Sequence, residues 1–188
     1  MTVALERRRF TVEEFHQMAA AGILGEDDRV ELLEGEIVRM SPIGKGHAAC
    51  VKRLNRWFGE RLAGRVLVSV QDPIRLGDRS EPEPDIALLR PRSDDYAQSL
   101  PTARDVFLVI EVADTSDVPD RDVKLPIYAR AGIPETWLVR LPNRTVEVHR
   151  DPGPNGYASV TTLGPGDTLM PLTFPDAGLP VAELLKDL

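Results

Sequence analysis

The sequence predicts an α/β domain built around a mixed β-sheet, on three observations. Short apolar runs such as VFLVIEVAD (106–114), DIALLR (85–90) and ETWLVR (135–140) are bounded by Gly, Pro, Asp and Ser, as strands are. Two segments instead carry apolar residues at helical spacing. The order is helix, strands, helix, strand, then further short strands, which is the alternation of an α/β fold. At 188 residues, 42% hydrophobic and 28% charged, the chain suits one globular domain spanning residues 1–188.

The composition also excludes several classes. The longest apolar runs are too short to span a bilayer. The N-terminal MTVALERRRF lacks the apolar stretch of a signal sequence, so a cytoplasmic protein without membrane contact is expected. Cys50 is the only cysteine, which rules out an intrachain disulfide, and its place in a helical segment suits a buried thiol. One cysteine and three dispersed histidines (His16, His47, His149) leave no zinc pattern. Gly44–Lys45–Gly46 has neither the spacing nor the following hydroxyl of a P-loop, and no dinucleotide-binding glycine signature is present.

Taken in order, Thr11 and Glu14 form a capping box that opens a helix reaching about Ala21. RVELLEGEIVRM alternates about Glu34–Gly35 and reads as a hairpin. From His47 to Ala63, Val51, Leu54, Trp57, Phe58 and Leu62 make a helical stripe, with Lys52, Arg53 and Arg56 mostly off it. VLVSVQDPIRL reads as a strand broken or bulged at Pro73. DIALLR follows, then VFLVIEVAD, apolar on both alternations and therefore central. A helix ends at Gly132. Pro126 requires that it begin near Lys124 or kink in its first turn. ETWLVR, TVEVHR, YASVTTL and a segment near Thr168 to Thr173 are strands, and VAELLKDL closes the chain as an amphipathic helix.

Three carboxylates, Glu81, Glu83 and Asp85, crowd the mouth of the DIALLR strand, and Glu111 lies inside the next one. A carboxylate in a buried strand is costly unless paired or bound to a cation. Sequential strands are often neighbours, which would bring Asp85 and Glu111 together. Two carboxylates with a carbonyl and waters suit Mg²⁺. In the competing reading, Glu111 pairs with an arginine and Asp85 caps a turn. Lys124 stands in a helical first turn, where the dipole disfavours it, so another partner is expected for it.

Pro84–Asp85, Glu111 and Lys124 resemble the signature of the PD-(D/E)XK nuclease superfamily. More closely, the chain resembles the Uma-two family of restriction endonuclease-like proteins. The matching pieces are VELLEGEIV, the isolated His47, EPDIALLR, LVIEVADTS, DRDVKLPIYARAGIPETWLV and VEVHR, in order over nearly the whole chain. The run K-x3-Y-A-x-A-G-x-P-E-x-W is the specific part. There are departures. Ala113 stands where the superfamily lysine usually lies, so Lys124 is its counterpart, and Thr136 and Arg140 replace a usual tyrosine and an acidic residue.

The resemblance implies a restriction endonuclease-like core, a mixed sheet flanked by helices, with an N-terminal helix and hairpin and a small C-terminal β appendage. It implies a DNA endonuclease in which Asp85, Glu111 and the Val112 carbonyl hold Mg²⁺, with Mn²⁺ as a substitute, and Lys124 completes the catalytic set. Glu81 and Glu83 are then outer-shell or rim charges. Glu31, His47 and Asp120 form a second tier, each with a plainer role open to it: hairpin salt bridge, helix cap or surface histidine, and N-cap. Cutting both strands of a duplex favours a homodimer. Net charge is −7, yet Gly44 to Arg65 carries six cations against one acid, a net of +5, which suits a nucleic-acid enzyme better than a packaging protein. Lys52, Arg53 and Arg56 are the expected phosphate contacts. The alternative is a catalytically silent nuclease-like module that binds DNA or a protein.

Overall fold

The computed structural model describes residues 7–25, 27–114 and 123–188. Helix α1 (Val12–Ala20) opens with the expected capping box: the Thr11 hydroxyl accepts from the Glu14 amide at 3.2 Å, and the Glu14 carboxylate accepts from the Thr11 amide at 3.0 Å. Strands β1 (Val30–Leu33) and β2 (Glu36–Arg39) form an antiparallel hairpin closed by Glu34 and Gly35, both at positive φ (50° and 79°). A Cβ on Gly35 would stand 2.8 Å from Arg9 Cβ and 2.9 Å from the Phe10 carbonyl, so the turn needs its glycine. The hairpin is fastened to residues 79–81: Glu81 N donates to the Leu32 carbonyl and Gly35 N to the Arg79 carbonyl, both at 2.7 Å.

Helix α2 (Lys45–Arg61) then leads into a six-stranded sheet ordered β3 (Leu67–Ser69), β4 (Ile86–Leu89), β5 (Val106–Ala113), β6 (Glu135–Arg140), β7 (Thr145–Gly153) and β8 (Gly156–Leu163). Every pairing is antiparallel except β5 with β6, the pair that encloses α3 (Leu125–Ala131) in its connection. Ile86, Leu88, Leu108 and Ile110 face Cys50, Val51, Leu54 and Phe58 of α2. Ala87, Leu89 and Val109 face Tyr128 of α3 and Ile133. Strand β5 is thus buried on both sides, as its double apolar alternation required.

Pro126 is accommodated because α3 starts at Leu125 with Lys124 as N-cap, which puts the proline in a first turn whose amide has no helical acceptor to lose. The strand expected over VLVSVQDPIRL keeps only Leu67–Ser69 in the ladder, and the chain turns out of it at Gln71. In the C-terminal region, β7 and β8 form a long hairpin that continues the central sheet. β9 (Thr168–Leu169) pairs separately with β10 (Leu179–Pro180). VAELLKDL is helical for one turn only, α4 (Val181–Leu184). So short a stretch cannot propagate a helix alone. Its last carbonyls go instead to arginines: Arg53 donates to Leu184 O at 2.8 Å, and Arg144 to Leu185 O at 2.9 Å and Leu188 O at 2.6 Å. Among the described residues no helix is long and apolar enough to cross a membrane.

Candidate active site

The β4–β5 register sets Ile86 opposite Ile110, so the next position brings Asp85 to the level of Glu111 at the end of the ladder. The Asp85 carboxylate is 12% exposed and bound from three elements. Its Oδ2 accepts from the Val112 amide at 2.8 Å and lies 2.9 Å from His47 Nε2 of α2. Its Oδ1 accepts from Gln71 Nε2 at 3.1 Å. Glu111 is 2% exposed, and its Oε1 accepts from the Tyr128 hydroxyl at 2.5 Å. Lys124 Nζ, on a side chain 7% exposed, lies 3.4 Å from Glu111 Oε1 and 3.1 Å from Glu31 Oε2. Glu31 Oε2 also accepts from the Glu83 amide at 3.1 Å, so the β1–β2 hairpin forms a wall of the site and supplies a carboxylate to it.

All of these groups except Tyr128 line one pocket of ≈ 140 Å³. Five carboxylates (Glu31, Glu83, Asp85, Glu111 and Asp114) share it with the buried Lys124 ammonium, and with Arg29 and Arg39 exposed at its rim. Burial, and next the charge of Glu31, push the Glu83 carboxyl up from its ordinary value, against the pull of Lys124 and Arg29. Gly44 and His47, at the N-terminal end of α2, also line the pocket, and Gly44 offers no side-chain cap, so the positive end of a 17-residue helix dipole faces the carboxylates. Cys50 borders this region, but burial, aided by the Asp85 charge, pushes its thiol up to about 12, far from a nucleophile's range.

Among the described residues, no three or more His, Cys, Asp or Glu side chains form a ready-made metal cage. Carboxylate oxygens nevertheless predominate beside the single imidazole of His47, and Mg²⁺ commonly rests on one or two carboxylates and completes its shell with water. Asp85 and Glu111 fit that demand.

The model of the Uma2 family, described as "Putative restriction endonuclease", matches residues 12–182. The chain belongs to the Uma2 family. It is also similar to the crystal structure of "a putative nuclease belonging to DUF820" from Anabaena variabilis, at 18% identity over 94% of this chain and 97% of that one, with a TM-score of 0.77. That likeness is one of fold. No curated protein matches the chain. Membership of Uma2 supports a nuclease function and a nucleic-acid substrate.

In this Uma2 chain, Asp85, Glu111, Val112, Lys124, Glu31 and His47 all line the same pocket. Asp120 lies outside the described residues. Glu81 and Glu83, alike in the sequence, part company: Glu83 lines the pocket, whereas Glu81 is buried with its Oε1 2.7 Å from His16 Nε2 of α1. Lys52 and Arg56 are exposed on α2, away from the pocket, while Arg53 is half-buried in its bond to Leu184. Trp137 and Phe58 are core residues, and Arg61 stacks on Trp57 with its guanidinium 3.3 Å from the ring centroid.

Sequence reasoning did not give Tyr128 or Gln71 a role. Tyr128 stood in the K-x3-Y run as a motif letter. Its one signal was the four-residue spacing from Lys124, which puts both on one helix face. Gln71 gave no signal beyond its place in the broken VQDP strand end.

Proposed function

We propose that this Uma2 protein is a Mg²⁺-dependent endonuclease that hydrolyses phosphodiester bonds in DNA. The observation that carries the reading is the buried Lys124 ammonium between Glu31 and Glu111, in the pocket that also holds Asp85. A structural ion pair needs one carboxylate for one ammonium. Buried carboxylates gathered at one point repel one another, and a bound divalent cation would relieve that repulsion.

Asp85 and Glu111 would hold the ion with the Val112 carbonyl, and Mn²⁺ would substitute. The ion supplies Lewis acidity toward a phosphate oxygen and a water of lowered pKa. Lys124 is a compact charge with three donors, suited to orienting the attacking water and offsetting charge that develops on the phosphorane. Tyr128, Gln71 and the Val112 amide hold the carboxylates through hydrogen bonds. The N-terminal end of α2 favours a phosphate at the pocket mouth. Lys52 and Arg56, with any contribution left to Arg53, would contact the phosphate backbone on either side. The family match over most of the chain supports one nuclease domain over residues 1–188, and a cut in both strands is most simply made by a homodimer.

The test is incubation of the purified protein with single-stranded, duplex and branched DNA in Mg²⁺ or Mn²⁺. Cleavage that EDTA abolishes is expected. Retardation of DNA in Ca²⁺ with no cleavage in Mg²⁺ or Mn²⁺ would identify a silent nuclease-like binding module instead.

A further inference from the structure

We propose that Gln71 is a positioning residue, fixed in a strained turn so that its side-chain amide holds the Asp85 carboxylate against the Val112 amide. The inference rests on the proposed metal site but concerns how its first ligand is held. The β3–β4 ladder stops after Ser69 pairs with Ala87, and at Gln71 the backbone turns to φ 56°. From there Gln71 grips Asp85 twice: its backbone N–H donates to the Asp85 carbonyl at 3.3 Å, and its Nε2 donates to Oδ1 at 3.1 Å.

A turn that needs positive φ is most easily made with Gly, Asn or Asp. Three of the other non-glycine residues at positive φ among the described ones are aspartates: Asp95, Asp151 and Asp187. Glutamine gains nothing from that conformation by itself. Of this set only Gln71 lines the carboxylate pocket. Strain held at a functional pocket, by a residue whose side chain grips the candidate ligand, is what a positioning role requires. Asp85 Oδ2 closes the arrangement by accepting from the Val112 amide at 2.8 Å. The amide of β5 therefore reports whether Asp85 is held.

Two variants test this. Gln71→Met keeps the length and the backbone cost but removes the donor. Gln71→Asn accepts the left-handed turn readily, but its amide falls one methylene short. In the metal-free protein, hydrogen exchange of the Val112 amide should speed up about 3–10-fold in both, the loss of one hydrogen bond, while Val109 in mid-strand keeps its wild-type rate. Calorimetric Mn²⁺ affinity should weaken by a similar factor, and turnover should fall with KM for DNA unchanged. Wild-type exchange at Val112 in either variant would overturn the proposal. A wild-type protein that binds no Mn²⁺ would instead sink the metal reading, and the exchange comparison, made without ion, would still decide the role of Gln71.

Discussion

Two glutamates on adjacent strands are almost equally buried, Glu111 on β5 at 2% exposure and Glu135 on β6 at 1%. Their surroundings differ in kind. Glu135 is surrounded by donors: Oε1 accepts from Arg150 Nη2 at 2.7 Å, Arg150 Nε at 2.9 Å and Trp137 Nε1 at 3.0 Å, and Oε2 accepts from the Leu172 amide at 2.7 Å. It ties the segment before β10 to the sheet. Glu111 meets a tyrosine and a lysine shared with Glu31, in a pocket crowded with like charge. Burial alone therefore says little about a carboxylate's role. What separates the two is their neighbourhood: Glu135 is tied to an arginine and a backbone amide, whereas Glu111 shares a pocket with four other carboxylates and a lysine.

The largest expected effect is on catalysis at the Glu111 pocket. Glu111→Gln and Asp85→Asn should each lower DNA cleavage by about 10²–10³-fold or more. Glu111→Gln should shift stability by less than about 1 kcal/mol, because Tyr128 can still donate to the amide oxygen and Glu31 still pairs with Lys124. Thermal melts beside cleavage time courses check both halves. Lys124→Ala should lose turnover while Mn²⁺ still binds by calorimetry, since an ammonium is no ligand. Lys124→Arg should not restore full activity, because a planar fork replaces a compact charge.

The Glu135 site should answer in the opposite sense. Glu135→Gln withdraws the charge that Arg150 pairs with and should cost about 3 kcal/mol, or about 6–12 °C in Tm for a chain of this size. Below that melt, cleavage per folded molecule should stay within about twofold of wild type. A Glu135 variant that melts normally but does not cleave would erase the distinction between the two glutamates.

Smaller still is the effect of the exposed cations. Lys52→Gln with Arg56→Gln should reduce the slope of log K against log salt for DNA binding by up to roughly 2, about one per phosphate contact. Arg53→Gln should instead lower Tm, because its guanidinium ends α4. An unchanged slope in the double variant would place the DNA elsewhere. Smallest is Cys50: with its thiol pushed up to about 12, it is protonated at all working pH values and should resist alkylation at pH 8 until the protein unfolds. Alkylation of the native protein at the rate of an exposed thiol would contradict that burial.

Glu111 was legible as unusual because an acid interrupts VFLVIEVAD, and Lys124 because a cation sits in a helical first turn. Alternation and capping also exposed the β1–β2 hairpin and the start of α1. Glu135 opens ETWLVR and gave no such warning: an acid at a strand edge looks solvated until Arg150 and Leu172 fold over it. Gln71 was invisible because its meaning lies in one backbone angle and one cross-strand neighbour. Period-2 patterning identified β7 and β8 as strands, but it carries no information on strand order, so their place in the main sheet was not readable. Arg53 looked like a phosphate contact because helical spacing shows only which face it occupies, not that the C-terminal turn arrives there.

The most direct test of the central claim is anomalous diffraction from a crystal soaked in Mn²⁺. The expected result is a single strong peak between the carboxylates of Asp85 and Glu111, with the Val112 carbonyl in its shell and no peak beside Glu135. A fully occupied soak with no peak in the pocket, or one lodged at surface acids only, would contradict it and leave the Glu31–Lys124–Glu111 cluster as a structural ion pair.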